Sequence, residues 1–452
     1  MGSNWKTTKL LDHYDIRSGL SKPAKDFGSG YPFLTFKDVF YNYFTPDELG
    51  DLVHSNDKER ENCSVKRGDL FLTRTSETMH ELGMSCVALR DYENATFNGF
   101  CKRLRPHRNS ELVPEYVGYY LRSPKFRQSM LAFSTMSTRA SLNNEMIGRL
   151  EISYPPEEEQ IEIAKILKKL DDKITLNRQI NQTLEQMAQA LFKSWFVDFE
   201  PVVDNALDAG FFKQDLEFPD ELLRRAEARK AVRESADFKP LPEDIRQLFP
   251  AAFEECYELS LGLRGWMPQG WNVKRLDEIL ELAYGKGLKK SDRVCGDYPV
   301  YGSGGIDGTH ISSLVDGPGI IVGRKGTVGS IYWEPKSFHP IDTVFYVKPK
   351  DSFTLIYCYE LLKTLGLERM NTDAAVPGLN RNNAYRLLCV APSNSILDQI
   401  SKLLGGYRDR IELCESENMT LTNIRDKLLP KLISGELHLS DIEVNTANEV
   451  LA

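Results

Sequence analysis

Ser141-Leu142-Asn143 returns 237 residues later as Gly378-Leu379-Asn380, and the match runs on without a gap. At that offset Leu150 meets Leu387, Pro155 meets Pro392, Asp172 meets Asp409 and Ile174 meets Ile411. Leu176, Asn181, Thr183, Leu184 and Leu191 likewise meet Leu413, Asn418, Thr420, Leu421 and Leu428. Nearer the start, Trp5, Leu10 and Gly19 match Trp271, Leu276 and Gly285 at an offset of 266, and Tyr31-Pro32 resembles Tyr298-Pro299. Two offsets mean two units with shared edges and interiors of different length. The chain reads as a variable block followed by a helix, twice over.

The variable blocks, residues 1–155 and 266–393, have the pattern of mixed β-rich domains. Asp69-Leu70-Phe71-Leu72 and Gly319-Ile320-Ile321-Val322 are short apolar runs bounded by glycine, the signature of buried strands. A helical patch follows in each, around 115–127 and 354–365. After Pro155-Pro156, which disfavours helix just before it, a long helix is expected over 156–197, and its copy over 394–438. Steps of four and three pick out Ile163, Leu167, Leu170, Ile174, Asn177, Asn181, Leu184, Ala188, Leu191 and Trp195. The second copy gives Ile400, Leu404, Tyr407, Ile411, Cys414, Asn418 and Leu421. These are heptad seams interrupted by asparagines that can set register, and the simplest partner for one seam is the other. Each helix would run roughly 50–60 Å at about 1.5 Å per residue. The expected fold class is α+β, a pseudo-two-fold repeat of two β-rich domains and two long coiled-coil helices. Residues 198–265, punctuated by five prolines, are expected to be an acidic connector, and 439–452 a flexible tail.

The 452 residues are 41% hydrophobic and 27% charged, as in a globular protein, and carry no apolar run long enough for a membrane span. The eight cysteines contain no C-x-x-C pair, which points to reduced thiols in a cytoplasm. The net charge of −8 hides a pattern: +3 over 1–150, −7 over 197–265 and +2 over 266–393. Two mildly basic blocks alternate with acidic ones, so local phosphate-binding faces are permitted although not required.

No catalytic signature survives inspection. His80-Glu81 lacks the second histidine of H-E-x-x-H, and Gly302-Ser303-Gly304-Gly305 has the wrong spacing for a nucleophile elbow. Gly323–Gly329 lacks the Walker order. What remains are basic and hydroxyl residues on matched loops. Arg74, Thr75 and Ser76 follow one buried strand, and Arg324, Lys325 and Thr327 follow its counterpart. Arginine can chelate guanine or a phosphate, and hydroxyls can add phosphate contacts. A turn with a solvated arginine is the alternative for either loop alone; the repetition favours DNA. Arg139 and Asn143 parallel Asn380 and Arg381, where asparagine can read adenine or cap the helix that follows. Lys22, Lys25, Lys286, Lys289 and Lys290 are candidate phosphate contacts or ordinary surface lysines.

The ordered set of these segments resembles the specificity subunits of type I restriction–modification systems over nearly the whole chain. The resemblance rests on Trp5-Lys6, Gly270-Trp271, Val300–Ile306, Gly323–Gly329 and the Leu-Asn plus Pro-Pro boundary. It also rests on Gln160-Ile161-Glu162-Ile163-Ala164-Lys165-Ile166-Leu167, Leu191–Phe199 and Leu428–Leu437. In the second copy the usual glutamine-rich helix start has become Ser395-Ile396-Leu397-Asp398-Gln399-Ile400, a departure that leaves helix pairing intact. The resemblance implies two target-recognition domains, each reading one half of a gapped, asymmetric site in double-stranded DNA. It implies that the two helices pair antiparallel, set the spacing and dock two adenine-methylating modification subunits and, through them, restriction subunits. Such a subunit is non-catalytic and binds no cofactor; S-adenosylmethionine, ATP and Mg are expected on the partners. From a different class, a bivalent protein–protein scaffold with two β-rich ligand-binding ends stays open, and salt sensitivity separates the two.

Overall fold

The structure is a computed structural model and describes residues 4–76, 81–132, 140–371 and 378–437. The chain divides into two compact units, residues 1–177 with 416 onward, and residues 178–415. The proposed tail, 439–452, lies outside the described residues.

The first unit holds a four-stranded antiparallel sheet in the spatial order Tyr14–Ser18, Cys101–Pro106, Leu70–Thr73, Ser85–Val87. A three-stranded sheet follows the order Asp51–Val53, Phe27–Leu34, Thr96–Phe97, its last pair parallel. Lys6–Lys9 pairs with Glu151–Tyr154, which brings the two edges of the domain together. The second unit repeats this order strand for strand. Its sheets run Leu280–Tyr284, Val344–Pro349, Gly319–Gly323, Ile331–Glu334, and Gly305–His310, Tyr298–Gly302, His339–Pro340, again with the last pair parallel. Asn272–Arg275 pairs with Leu388–Ala391 as the edge pair. The predicted runs Asp69–Leu72 and Gly319–Val322 fall in or beside strands Leu70–Thr73 and Gly319–Gly323, which are buried at every position.

Two long helices, Glu157–Phe196 and Asn394–Ser434, contribute to both units. Glu157, Glu158 and Glu159 occupy the first turn of the first helix, where carboxylates complement the helix dipole. In the first unit Ile163, Ala164 and Leu167 pack in one core with Leu429, Leu432 and Ile433, so the helices run antiparallel there. Gln160 is buried and fully used. Its Oε1 accepts from Val113 N at 2.9 Å, and its Nε2 donates to the carbonyls of Glu111 and Pro155 at 3.0 Å. Leu397 stands at the corresponding place in the second copy and packs into an apolar core instead. In the second unit Ala188, Phe192 and Trp195 share a core with Ile400 and Leu404.

Of the seam residues, Ile163, Leu167, Ile174, Leu404 and Ile411 are buried, whereas Leu170, Asn181, Leu184, Leu191, Tyr407, Asn418 and Leu421 are half-buried. Near the end of the first helix Phe192 is fully buried and Leu191 packs half-buried against the same core. Asn177 donates from Nδ2 to Glu417 at 2.8 Å and to Asn418 Oδ1 at 3.1 Å, and Asn181 donates to the Ile411 carbonyl at 3.4 Å. The asparagines thus make specific cross-helix bonds.

The segment expected as an acidic connector has a fold of its own. Residues 198–265 fold into helices Glu200–Asp208, Asp220–Arg233 and Glu243–Arg246 and a hairpin of Phe253–Glu255 with Trp266–Pro268. Val202, Val203, Ala206, Phe211, Leu222 and Phe249 are part of the second unit's core. Several of its carboxylates are paired: Asp204 with Arg229 at 2.8 Å, Asp198 with Arg225 at 2.7 Å, and Asp208 with Arg233 at 2.6 Å and with Arg246. The region is thus a folded, ion-paired segment, and the short surface helix expected over Leu222–Ala231 lies within Asp220–Arg233.

Candidate nucleic-acid interface

Strand register places the two predicted arginines at one position of the repeated domain. Leu72 lies opposite Lys102, and Val322 lies opposite Phe345. Two residues on, Arg74 N donates to Phe100 O at 2.9 Å, and Arg324 N donates to Thr343 O at 2.9 Å. The Arg74 carbonyl accepts from Leu142 N at 2.8 Å, as the Arg324 carbonyl accepts from Leu379 N at 2.8 Å. These bonds tie the arginine loop to the Leu-Asn segment in each unit, which is why both motifs recur together in the sequence.

The surroundings then diverge. Ser18 sits opposite Lys102 in the first domain, where Tyr284 sits opposite Phe345 in the second. Lys102 Nζ donates to Ser18 Oγ at 2.9 Å, and burial, with the charge of Arg74 adding to it, holds the Lys102 ammonium below its ordinary pKa. Adjacent cations of this kind favour an anionic ligand. In the second domain the Arg324 guanidinium lies 5.1 Å from the Tyr284 ring centroid and 5.8 Å from that of Phe345, and its Nη1 donates to the Asp342 carbonyl at 2.7 Å. Arg381 lies 4.6 Å from the same Tyr284 ring and 5.7 Å from that of Tyr385. Lys102 and Tyr284 were not singled out from the sequence. The offset that pairs Gly19 with Gly285 also pairs Ser18 with Tyr284, so a position-by-position comparison of the copies could have found the latter.

The other candidates scatter. Asn143 and Asn380 are helix caps: Asn143 Oδ1 accepts from Met146 N at 2.8 Å, and Asn380 Oδ1 from Asn382 N at 2.9 Å and Asn383 N at 3.3 Å. With that oxygen committed, neither can present an intact amide fork to adenine unless its cap opens. Thr75 pairs in backbone register with Ser141, and Ser76 with residue 140. Lys325 bridges to Gly378, and Thr327 N donates to Ser303 Oγ at 3.4 Å. Lys22 is drawn into an ion pair with Glu59 at 2.8 Å, and Lys290 pairs with Asp307 at 3.0 Å. Lys25, Lys286 and Lys289 are exposed. Arg139 lies outside the described residues.

Among the described residues, no group of three or more His, Cys, Asp or Glu side chains is placed to hold a metal ion, and no helix is long and apolar enough to cross a membrane.

The Type I restriction enzyme HindI specificity subunit of Haemophilus influenzae is 28% identical over 96% of this chain and 100% of its own length. The MjaIX specificity subunit of Methanocaldococcus jannaschii is 24% identical over 97% and 95%. The crystal structure of the type I restriction–modification system S subunit from M. genitalium shares the fold, with a TM-score of 0.51 and 16% identity over 96% of this chain and 97% of that one. The sequence profile described as the type I restriction modification DNA specificity domain matches residues 2–186 and 268–379, once on each repeat. This chain therefore belongs to the type I restriction–modification DNA specificity family.

Proposed function

We propose that this chain is the non-catalytic subunit that gives a type I restriction–modification complex its DNA sequence specificity. Each β-rich domain reads one half of a gapped, asymmetric site in double-stranded DNA. The observation that supports this most directly is the equivalence of Arg74 and Arg324, held by the same backbone bonds amid different neighbours. A shared frame presents a positive group at one place in each domain, while the variable neighbours select different bases. The paired helices serve as spacer and as the docking surface for two adenine-methylating modification subunits, and restriction subunits join through these. S-adenosylmethionine, ATP and Mg belong to those partners, and the assembly works in the cytoplasm.

A genome-wide map of adenine methylation, with the gene intact and deleted, tests the reading. Loss of one two-part, gapped motif on deletion supports it. An unchanged map in cells with an active modification subunit overturns it and favours a scaffold without DNA specificity.

A further inference from the structure

We propose that Arg381, propped on the ring of Tyr284 beside Arg324, is the guanine-reading residue of the second domain, a role that rests on the DNA-specificity reading above. Two guanidinium groups lie over one tyrosine ring that is itself 50% exposed. Neither is ion-paired with a carboxylate among the described residues, and the two guanidinium groups share one ring as neighbour. The ring's electron-rich face offsets part of their repulsion, and an electron-rich ligand would offset the rest.

The two arginines are not equivalent. Arg324 is tethered by its Nη1 bond to the Asp342 carbonyl, which suits a positioning role. Arg381 Nε is buried without a hydrogen-bond partner, and its Nη1 and Nη2 make no bond to a described residue. Its backbone is set by the Asn380 cap, and the cation–π contact with Tyr284 at 4.6 Å holds the guanidinium over the ring. A planar pair of donors held in advance matches the O6 and N7 acceptors of guanine in the major groove. The corresponding position in the first domain, at the 237 offset, is Asn144, and Ser18 replaces the tyrosine platform. At these two positions the first domain has neither the arginine nor the ring, so the two half-sites are read by different chemistry from one frame.

The test uses the intact complex in the source cell, with chromosomal Arg381→Ala, Arg381→Lys, Tyr284→Ser and Tyr284→Phe variants and methylation motifs read genome-wide. The expected result is that Arg381→Ala and Arg381→Lys relax a single guanine in one half-site, with discrimination at that base falling about five- to a hundredfold. Tyr284→Ser relaxes the same base, Tyr284→Phe does not, and the other half-site is unchanged. Retention of the full motif by Arg381→Ala would overturn the proposal, because a methyl group offers guanine no donor. Uniform weakening at every base, or a wild-type motif with no guanine in the affected half, also overturns it. Absence of any motif that depends on the chain defeats the specificity reading itself, a result distinct from an intact motif insensitive to Arg381.

Discussion

Arg74 and Arg324 occupy one position of a duplicated domain: each carbonyl accepts a 2.8 Å bond from a leucine N–H, that of Leu142 or Leu379. The backbone frame is common, and only the side-chain neighbourhood differs, Lys102 and Ser18 in one copy and Phe345 and Tyr284 in the other. Charge reversal should therefore act on one half-site at a time. Arg74→Glu is expected to weaken recognition of one half by about 1–3 kcal/mol, and Arg324→Glu that of the other. Binding titrations on DNA altered in one half, at several salt concentrations, check this. Unchanged affinity for both variants would remove these loops from the interface.

Gly19 and Gly285 are the matched glycines that follow the edge strand Tyr14–Ser18 or Leu280–Tyr284 of each four-stranded sheet, and both are required by close approach. A Cβ at Gly19 would lie 2.2 Å from the Asn98 carbonyl oxygen, and one at Gly285 would lie 2.1 Å from that of Ile341. Backbone cannot yield as a side chain does, so Gly19→Ala and Gly285→Ala should each cost about 1–3 kcal/mol. Gly50→Ala, with open space around the new methyl, should stay within about 0.5 kcal/mol of the parent. Thermal unfolding of the three variants separates the cases.

Asp171 links the first long helix to the second and to the first domain. Its Oδ1 accepts from Arg425 at 2.7 Å and its Oδ2 from the Tyr119 hydroxyl at 2.8 Å. Burial alone would lower the Arg425 pKa, but the bond to Asp171 helps to keep it above its ordinary value. Asp171→Ala leaves two donors unpaired and should destabilise the chain by about 1–3 kcal/mol. Urea unfolding should show a lower midpoint with an unchanged slope.

The ion-paired helices of 198–265 carry a pH signature. Hydrogen bonds from Arg224 and Arg225 hold the Glu221 carboxyl down to about 2, against an ordinary value of 4.5. A depressed carboxylate stabilises the fold fully above its unfolded value and loses that contribution as pH falls toward the folded one. Glu221→Gln should therefore be less stable than the parent at pH 7, and the difference should shrink progressively below about pH 4.5. Because the pair is at the surface, the effect is small and should fade in high salt. Chemical unfolding at pH 7 and pH 3 measures it.

The duplication, the buried strands and the two long helices were legible in the chain because they depend on local pattern: ungapped repeats, apolar runs and heptad steps. The family followed from the order of those segments. The packing of the 198–265 region was not legible, because its acidic count says nothing of which arginine each carboxylate meets. Asp208 is paired with Arg233 and Arg246 across 25 and 38 residues. The full burial of Phe192 beside Leu191 was equally hidden, since a heptad defines a stripe but the domain core decides how far each edge of it is covered.

Residue pattern alone established that two copies of one domain each carry an arginine loop and a Leu-Asn turn. Tertiary structure decided what those residues can do. It spent the oxygens of Asn143 and Asn380 on helix caps, drew Lys22 into an ion pair, and put Arg324 and Arg381 over Tyr284. Caps and repeats are set by neighbours in sequence, whereas a cluster of residues 284, 324 and 381 exists only once sheet register has brought distant strands together.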